Sequence, residues 1–190
     1  MDGKARVIFV LGGPGVGKGT QCQKIQEQNE EFVHLSAGEL LRQARESGSE
    51  NGEVIIQCIN QGTIVPAEIT VDLLRQAMVA HGWEKKRFLV DGFPRNEDNY
   101  QKWYDMMEAV EVEYCVFMDC DVDAMAERIK ARGSARSDDN PEVFKKRITT
   151  YNEQTKPIID RFSDLGRLRR VDGNLDVDSV YEQMLNILKD

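Results

Sequence analysis

Short runs of β-branched and apolar residues alternate along the chain with longer stretches whose apolar positions recur every three or four residues. Residues 6–11 (Arg-Val-Ile-Phe-Val-Leu), 32–35, 87–91, 114–119 and 168–171 read as buried strands. Between them, residues 69–79 and 122–129 carry helical periodicity. Such alternation predicts an α/β fold, a five-stranded parallel sheet with helices on both faces. No repeat, low-complexity tract or linker divides the chain, so a single domain spanning 1–190 is expected. Two polar segments, 47–52 and 133–141, break the rhythm and read as mobile loops on a rigid scaffold.

Directly after the first strand stands Gly12-Gly13-Pro14-Gly15-Val16-Gly17-Lys18-Gly19-Thr20, followed by a helical pattern. Phosphate oxygens are bound well by backbone N–H groups converging from a glycine-rich turn and a helix N-terminus. Lys18 is then placed to reach the β- and γ-phosphates of a nucleotide. This is a P-loop in its proper strand–loop–helix setting, which a plain glycine turn does not require. Gly19 follows the lysine, so the hydroxyl comes one place later, on Thr20, and its assignment to Mg²⁺ is the weaker for it.

The second strand leads into Ser36-Ala37-Gly38-Glu39, an S-x-x-E capping box, with Arg42 about one turn further on. Taken alone, Arg42 is a solvated surface charge and His34 a core or edge histidine. The third strand ends in Asp91-Gly92-Phe93-Pro94-Arg95, where open α/β sheets gather their ligands. Asp91 can hold the water shell of Mg²⁺, and Arg95 offers a planar fork suited to phosphate. The aromatic before Pro94 favours a cis bond. Arg132, Arg136 and Arg147 flank a further loop, and Asn140-Pro141 reads as an N-cap with proline at the first helical position. Each of these arginines singly reads as a surface residue. With Lys18, Arg42 and Arg95 they suit one shared task, neutralising the charge that spreads over oxygens during phosphoryl transfer.

Composition narrows the field. Hydrophobic residues are 41% and charged residues 31% of 190, which fits a soluble globular chain. A formal net charge of -8 argues against a nucleic-acid binder, so any anionic ligand needs a local positive island. Cys22, Cys58, Cys115 and Cys120 contain no C-x-x-C pairing and read as reduced, mostly buried thiols. With two histidines, His34 and His81, no zinc site is expected. No run approaches the ~20 apolar residues of a membrane span, and nothing at the N-terminus resembles a targeting peptide; a cytoplasmic location is expected, with nuclear entry left open.

The segments 12–20, 34–42, Thr63-Ile64-Val65-Pro66, 91–99 and 132–147 together resemble those of the nucleoside monophosphate kinases, most closely the eukaryotic UMP-CMP kinases, over essentially the whole chain. The resemblance implies an adenylate kinase-like core of P-loop NTPase type, a helical acceptor-binding flap over about 36–65 and a short lid over about 133–141. It implies that Gly15, Val16, Gly17, Lys18, Gly19 and Thr20 bind the phosphates of Mg-ATP and that Arg132 faces this donor. Arg42, Arg95, Arg136 and Arg147 would hold the acceptor phosphate and the transferring group. Lys18, Arg95, Arg132, Arg136 and Arg147 would form the catalytic set. The backbone of Thr63, Ile64 and Val65, the turn Gly92-Phe93-Pro94 and the Asn99 side chain would contact the acceptor nucleoside, and the backbone near Leu175 the adenine.

Against the adenylate kinases, Ala37 replaces a hydroxyl residue, and Asn96 and Asn99 follow Arg95 where a glutamine is usual, which resembles the pyrimidine branch. One amide carries donor and acceptor and can flip between them, so Asn99 could serve cytosine or uracil. The plainer alternative is that Asn96 and Asn99 cap the helix beginning near Glu97. Two positions depart from the family: Glu39 stands where aspartate is usual, and residues 132–137 form a shorter lid without the glycine before its second arginine. The expected reaction moves the γ-phosphoryl of Mg-ATP to CMP or UMP, with dCMP left open, in a monomer that binds neither nucleic acid nor membrane. The rivals are an adenylate kinase using AMP and a P-loop switch that binds nucleotide without transferring phosphate.

Overall fold

From Val7 to Val10, β1 (Ala5–Gly12) is buried on both faces, as befits the centre of a parallel sheet. In the computed structural model, which describes residues 4–46, 51–83, 87–133 and 139–189, five strands lie in the order β2-β3-β1-β4-β5. They are β2 (Phe32–Ser36), β3 (Arg87–Asp91), β4 (Val110–Asp119) and β5 (Leu168–Asp172) with β1, and every pairing is parallel. The helices before β3 are α1 (Lys18–Gln28), α2 (Ala37–Glu46), α3 (Gly52–Gln61) and α4 (Ala67–Ala80). After it come α5 (Glu97–Met106), α6 (Val122–Arg132), α7 (Pro141–Thr150), α8 (Lys156–Asp164) and α9 (Val177–Lys189).

The two-residue strand period sorts the core into two layers. Val7, Phe9 and Leu11 meet Leu74 and Met78 of α4, Trp103 of α5 and Phe162 of α8. Ile8 and Val10 face the other way, onto Ile25 of α1, Met125 of α6 and Met184 of α9. A third, separate apolar seam joins Leu41 and Ala44 of α2 to Ile55 of α3 and to Val65. Helices α2 and α3 therefore carry a small core of their own beside the sheet.

The expected strands are all present, and β4 begins four residues before the expected 114. Val110 and Val112 pair with Ala5 and Val7, while Glu111 and Glu113 alternate with them and mask the pattern in a hydrophobicity reading. The capping box is half formed. Ser36 Oγ accepts from the Glu39 N–H at 3.4 Å, but the Glu39 carboxylate turns to Arg42. The cap at Asn140 is as expected, with its Oδ1 accepting from Val143 N at 3.0 Å and Pro141 opening α7. Of the two polar segments, 47–50 and 134–138 lie outside the described residues, and Arg136 with them. Gly52 already belongs to α3.

Between α7 and α8 the helix widens into a π turn, Tyr151–Thr155. Pro157 has no N–H to give the carbonyl four residues back, so a proline at this point favours an interrupted ladder. The widened turn swings Tyr151 and Thr155 toward the carboxyl end of the sheet.

Candidate active site

Gly12 ends β1, and the chain must turn at once to start α1. Gly15 and Gly17 adopt φ of 86° and 105°, and a Cβ on Gly15 would stand 2.7 Å from the Met125 carbonyl. Conformation closes both positions to other residues, and at Gly15 space does so as well. Lys18, the first residue of α1, folds back over the loop, its Nζ donating to the Gly12 and Gly13 carbonyls at 2.9 and 3.0 Å. Loss of hydration, aided by Arg95 and Arg147 and opposed by Asp91, lowers its pKa to about 8.

Lys18, Arg42, Arg95 and Arg147 line one cleft together with Thr63, Ile64 and Val65. α2 contributes Arg42, the turn after β3 contributes Arg95, and α7 contributes Arg147. Gly38 shows how closely the first two converge: a Cβ there would lie 3.5 Å from the Arg42 fork and 3.6 Å from Arg95 Nη2. Arg42 is steadied by Glu39, with Nε and Nη2 donating to one carboxylate oxygen at 3.1 and 2.9 Å. Arg95 Nε donates to the Gly92 carbonyl at 2.7 Å, and Thr155 Oγ1 donates to the Arg95 carbonyl at 2.8 Å. The positive island that a protein of net charge -8 needs is thus assembled from four separate segments, Lys18 coming from α1.

Asp91 closes β3 at the floor of this region, 6% exposed. Burial pushes its carboxyl up, but the His34 ring bonded to it at 2.5 Å, with Lys18 and Ser36, outweighs burial and holds it below the usual range. Its setting fits a magnesium ion held through water, because the carboxylate stays ionised beside the phosphate loop. Thr20 is exposed on α1. The Phe93–Pro94 bond is cis, as expected.

Several expected residues sit elsewhere. Arg132 is forked onto Asp139 at 2.8 and 2.5 Å, outside the cleft lining. The Phe93 side chain belongs to the core, packed on Phe9 and Trp103, so only its backbone can face a ligand. Asn96 is the N-cap of α5, accepting from Asn99 N at 2.8 Å. Asn99 does not cap; it lies 2% exposed beneath the turn, outside the cleft lining, its Oδ1 accepting from Arg95 N at 3.2 Å and its Nδ2 without a partner among the described residues. A flip of that amide would break the bond to Arg95, so Asn99 presents a donor and not an interchangeable pair. Leu175 is 41% exposed, on the loop after β5.

Three features escaped the sequence reading. Tyr151 and Thr155 line the cleft because of the π turn. Arg128 binds carbonyls of both the phosphate loop and the loop after β5. Cys22, His34 and Asp91 bring their ligand atoms within 4.8 Å of one another, a grouping that the expectation of no zinc site did not foresee. They come from three elements, so no local spacing announces them. The thiols are less uniformly buried than expected: all four are free, with Cys22 and Cys115 buried and Cys58 and Cys120 partly exposed.

Among the described residues no helix is long and apolar enough to cross a membrane. The adenylate kinase family profile matches residues 10–167. A UMP-CMP kinase of Gallus gallus is 49% identical, one of Bos taurus 48% and one of Homo sapiens 47%, each over 97% of both chains. A P-loop under a cleft of converging arginines, matched over this length, makes the chain a member of the adenylate kinase family.

Proposed function

We propose that the protein is an ATP-dependent UMP/CMP kinase, moving the γ-phosphoryl of Mg-ATP to the 5′-phosphate of CMP or UMP to give ADP and CDP or UDP. The observation that carries this reading is the meeting of Lys18, Arg42, Arg95 and Arg147 on one cleft. A switch that only holds nucleotide has no use for a second phosphate clamp. The names of the relatives, all UMP-CMP kinases, supply the acceptor base.

In the mechanism, backbone N–H groups of 15–20 cradle the donor phosphates and Lys18 leaves its resting carbonyls for them. Arg42 and Arg95 grip the acceptor phosphate, and Arg147 neutralises the charge of the group in transit. The acceptor oxygen is already ionised, so no side-chain base is needed; positioning and charge supply the rate. Magnesium, when bound with ATP, screens the phosphate charge, and Asp91 through water, with Thr20 secondarily, is where we assign it. Arg132 reaches the donor once its fork leaves Asp139. We assign the flap to about 36–65, in line with the separate apolar seam of Leu41, Ile55 and Val65, and the lid to about 133–141 with Arg136. A cytoplasmic monomer remains our reading.

The test is ADP production from Mg-ATP with CMP, UMP, AMP, GMP or no acceptor. Turnover confined to CMP and UMP is the expected result. Preference for AMP would keep the transfer chemistry and overturn the base assignment; indifference to acceptor would overturn the kinase reading.

A further inference from the structure

We propose that Cys22 of α1, His34 of β2 and Asp91 of β3 form a binding site for a soft divalent cation, zinc(II) in class, behind the phosphate loop. Their ligand atoms all lie within 4.8 Å of one another. Cys22 is fully buried, and the side chains of His34 and Asp91 are 15% and 8% exposed. Sulfur, imidazole nitrogen and carboxylate oxygen form the donor set that suits zinc, whereas magnesium takes oxygen alone. Charge agrees: one thiolate and one carboxylate cancel the two positive charges, leaving the buried site neutral. Burial and the Asp91 carboxylate push the Cys22 thiol well above its usual range, and the nearby Lys18 ammonium offsets only part of that, so the ion itself must drive the thiol to ionise.

Tetrahedral zinc with bonds of ~2.0–2.3 Å sets its ligand atoms roughly 3.3–3.8 Å apart. His34 Nε2 and Asp91 Oδ2 now stand at 2.5 Å and must part by about 1 Å, while Sγ closes from its side. Binding displaces the Cys22 thiol proton to solvent. The hydrogen that His34 Nε2 now donates to Asp91 must also leave, by exchange through solvent that puts the neutral ring's one hydrogen on Nδ1, before the Nε2 lone pair can meet the ion. A water fills the fourth position. No electron changes hands.

Occupancy has a consequence for catalysis. The ion takes the carboxylate we assign to magnesium and opens its bond to His34, so zinc bound here arrests turnover. That consequence rests on the proposed kinase reading; the binding itself does not.

The test uses the full chain, reduced, with cobalt(II) as spectroscopic probe and zinc(II) as competitor. Expected are saturation at one equivalent, a thiolate-to-cobalt charge-transfer band, and loss of that band when zinc is added. Cys22→Ala should lose the band, while Cys58→Ala and Cys120→Ala keep it. His34→Gln, which retains the thiol, should weaken binding and guards against misfolding of the first variant. Absence of the band in the wild type, or its survival in Cys22→Ala, overturns the site. In the kinase assay, one equivalent of zinc should abolish turnover of the wild type, reversibly with a chelator, and spare Cys22→Ala. Binding without inhibition would overturn the capture of the Asp91 carboxylate and leave the site standing; a wild type inactive with every acceptor would count against the kinase reading alone.

Discussion

Arg128 Nη1 donates to the Val16 carbonyl at 2.9 Å and, with the same nitrogen, to the Gly173 carbonyl at 2.7 Å. Its Nη2 adds the carbonyls of Asn174 and Leu175 at 3.4 and 3.2 Å. One guanidinium on α6 thus joins the phosphate loop to the loop after β5, two segments that have no ladder between them. Only arginine has donors enough, in a rigid fork, to hold this many carbonyls at once.

Cutting that joint should loosen the donor side and leave the acceptor side intact. Arg128→Ala is expected to raise KM for ATP about tenfold, the equivalent of ~1.4 kcal/mol and the low end for a charged hydrogen bond. KM for CMP should move by less than about threefold, since among the described residues the hydrogen-bond partners of Arg128 lie on the phosphate loop, the end of β4 and the loop after β5. Steady-state kinetics with each substrate varied decides it. An equal rise in both constants would mean that Arg128 serves the general fold and not the ATP side.

Lys18 illustrates a functional group held at some expense to the resting protein. Its lowered pKa, about 8 against an ordinary 10.5, means the surroundings disfavour the charged form. Screening by solvent at this partly exposed side chain brings the cost to roughly 1–3 kcal/mol. Lys18→Met removes both the charge and its cost, so thermal unfolding should show a Tm equal to or above that of the wild type. Turnover should nonetheless fall at least ~10²-fold. A variant that melts earlier, or one that keeps its activity, would contradict the role of Lys18.

The same features explain what could be read in advance. The glycine loop and Lys18 are contiguous, so strand, turn and cation are legible together. Arg42, Arg95 and Arg147 are visible as residues, but their convergence is a property of three elements and was reached through family resemblance. Arg128 carries no signal because its partners are carbonyls, which every residue has, up to 112 positions away. The Cys22–His34–Asp91 group escaped because metal spacing is sought locally, and here it spans α1, β2 and β3. Arg132 was expected at the donor, yet at rest its fork is taken by Asp139, a preference set by a salt bridge that spacing does not foretell.

Lys18 also gives the pH dependence. In the ligand-free protein its proton is present below pH 8 and lost as pH rises through about 8. Polyphosphate alongside favours the ammonium and raises the pKa, so ATP binding near pH 8 takes up a proton. Wyman linkage then requires ATP affinity to fall as pH climbs from 7 to 9. Calorimetric titrations in two buffers of different ionisation enthalpy should show uptake of about half a proton at pH 8 and almost none from Lys18 at pH 6. Lys18→Met should abolish the uptake at pH 8; persistence would assign it to another group.

Asn99 yields the sharpest test of base choice. Its Oδ1 is committed to the Arg95 N–H, and only Nδ2 remains to offer. If Asn99 meets the base, a donor at this place would suit an acceptor that both pyrimidines possess, uracil O4 or cytosine N3, with no flip needed to take either. Asn99→Asp keeps an acceptor for Arg95 N and exchanges the donor for a second carboxylate oxygen. That oxygen can accept from the cytosine N4 amino group but repels uracil O4. The ratio of kcat/KM for CMP over UMP should therefore rise, by about tenfold if one hydrogen bond is gained in one complex and lost in the other. Because the buried aspartate must also be ionised to act so, the preference should strengthen as pH rises above its pKa. An unchanged ratio would remove Asn99 from base selection and leave it a support for the backbone of Arg95.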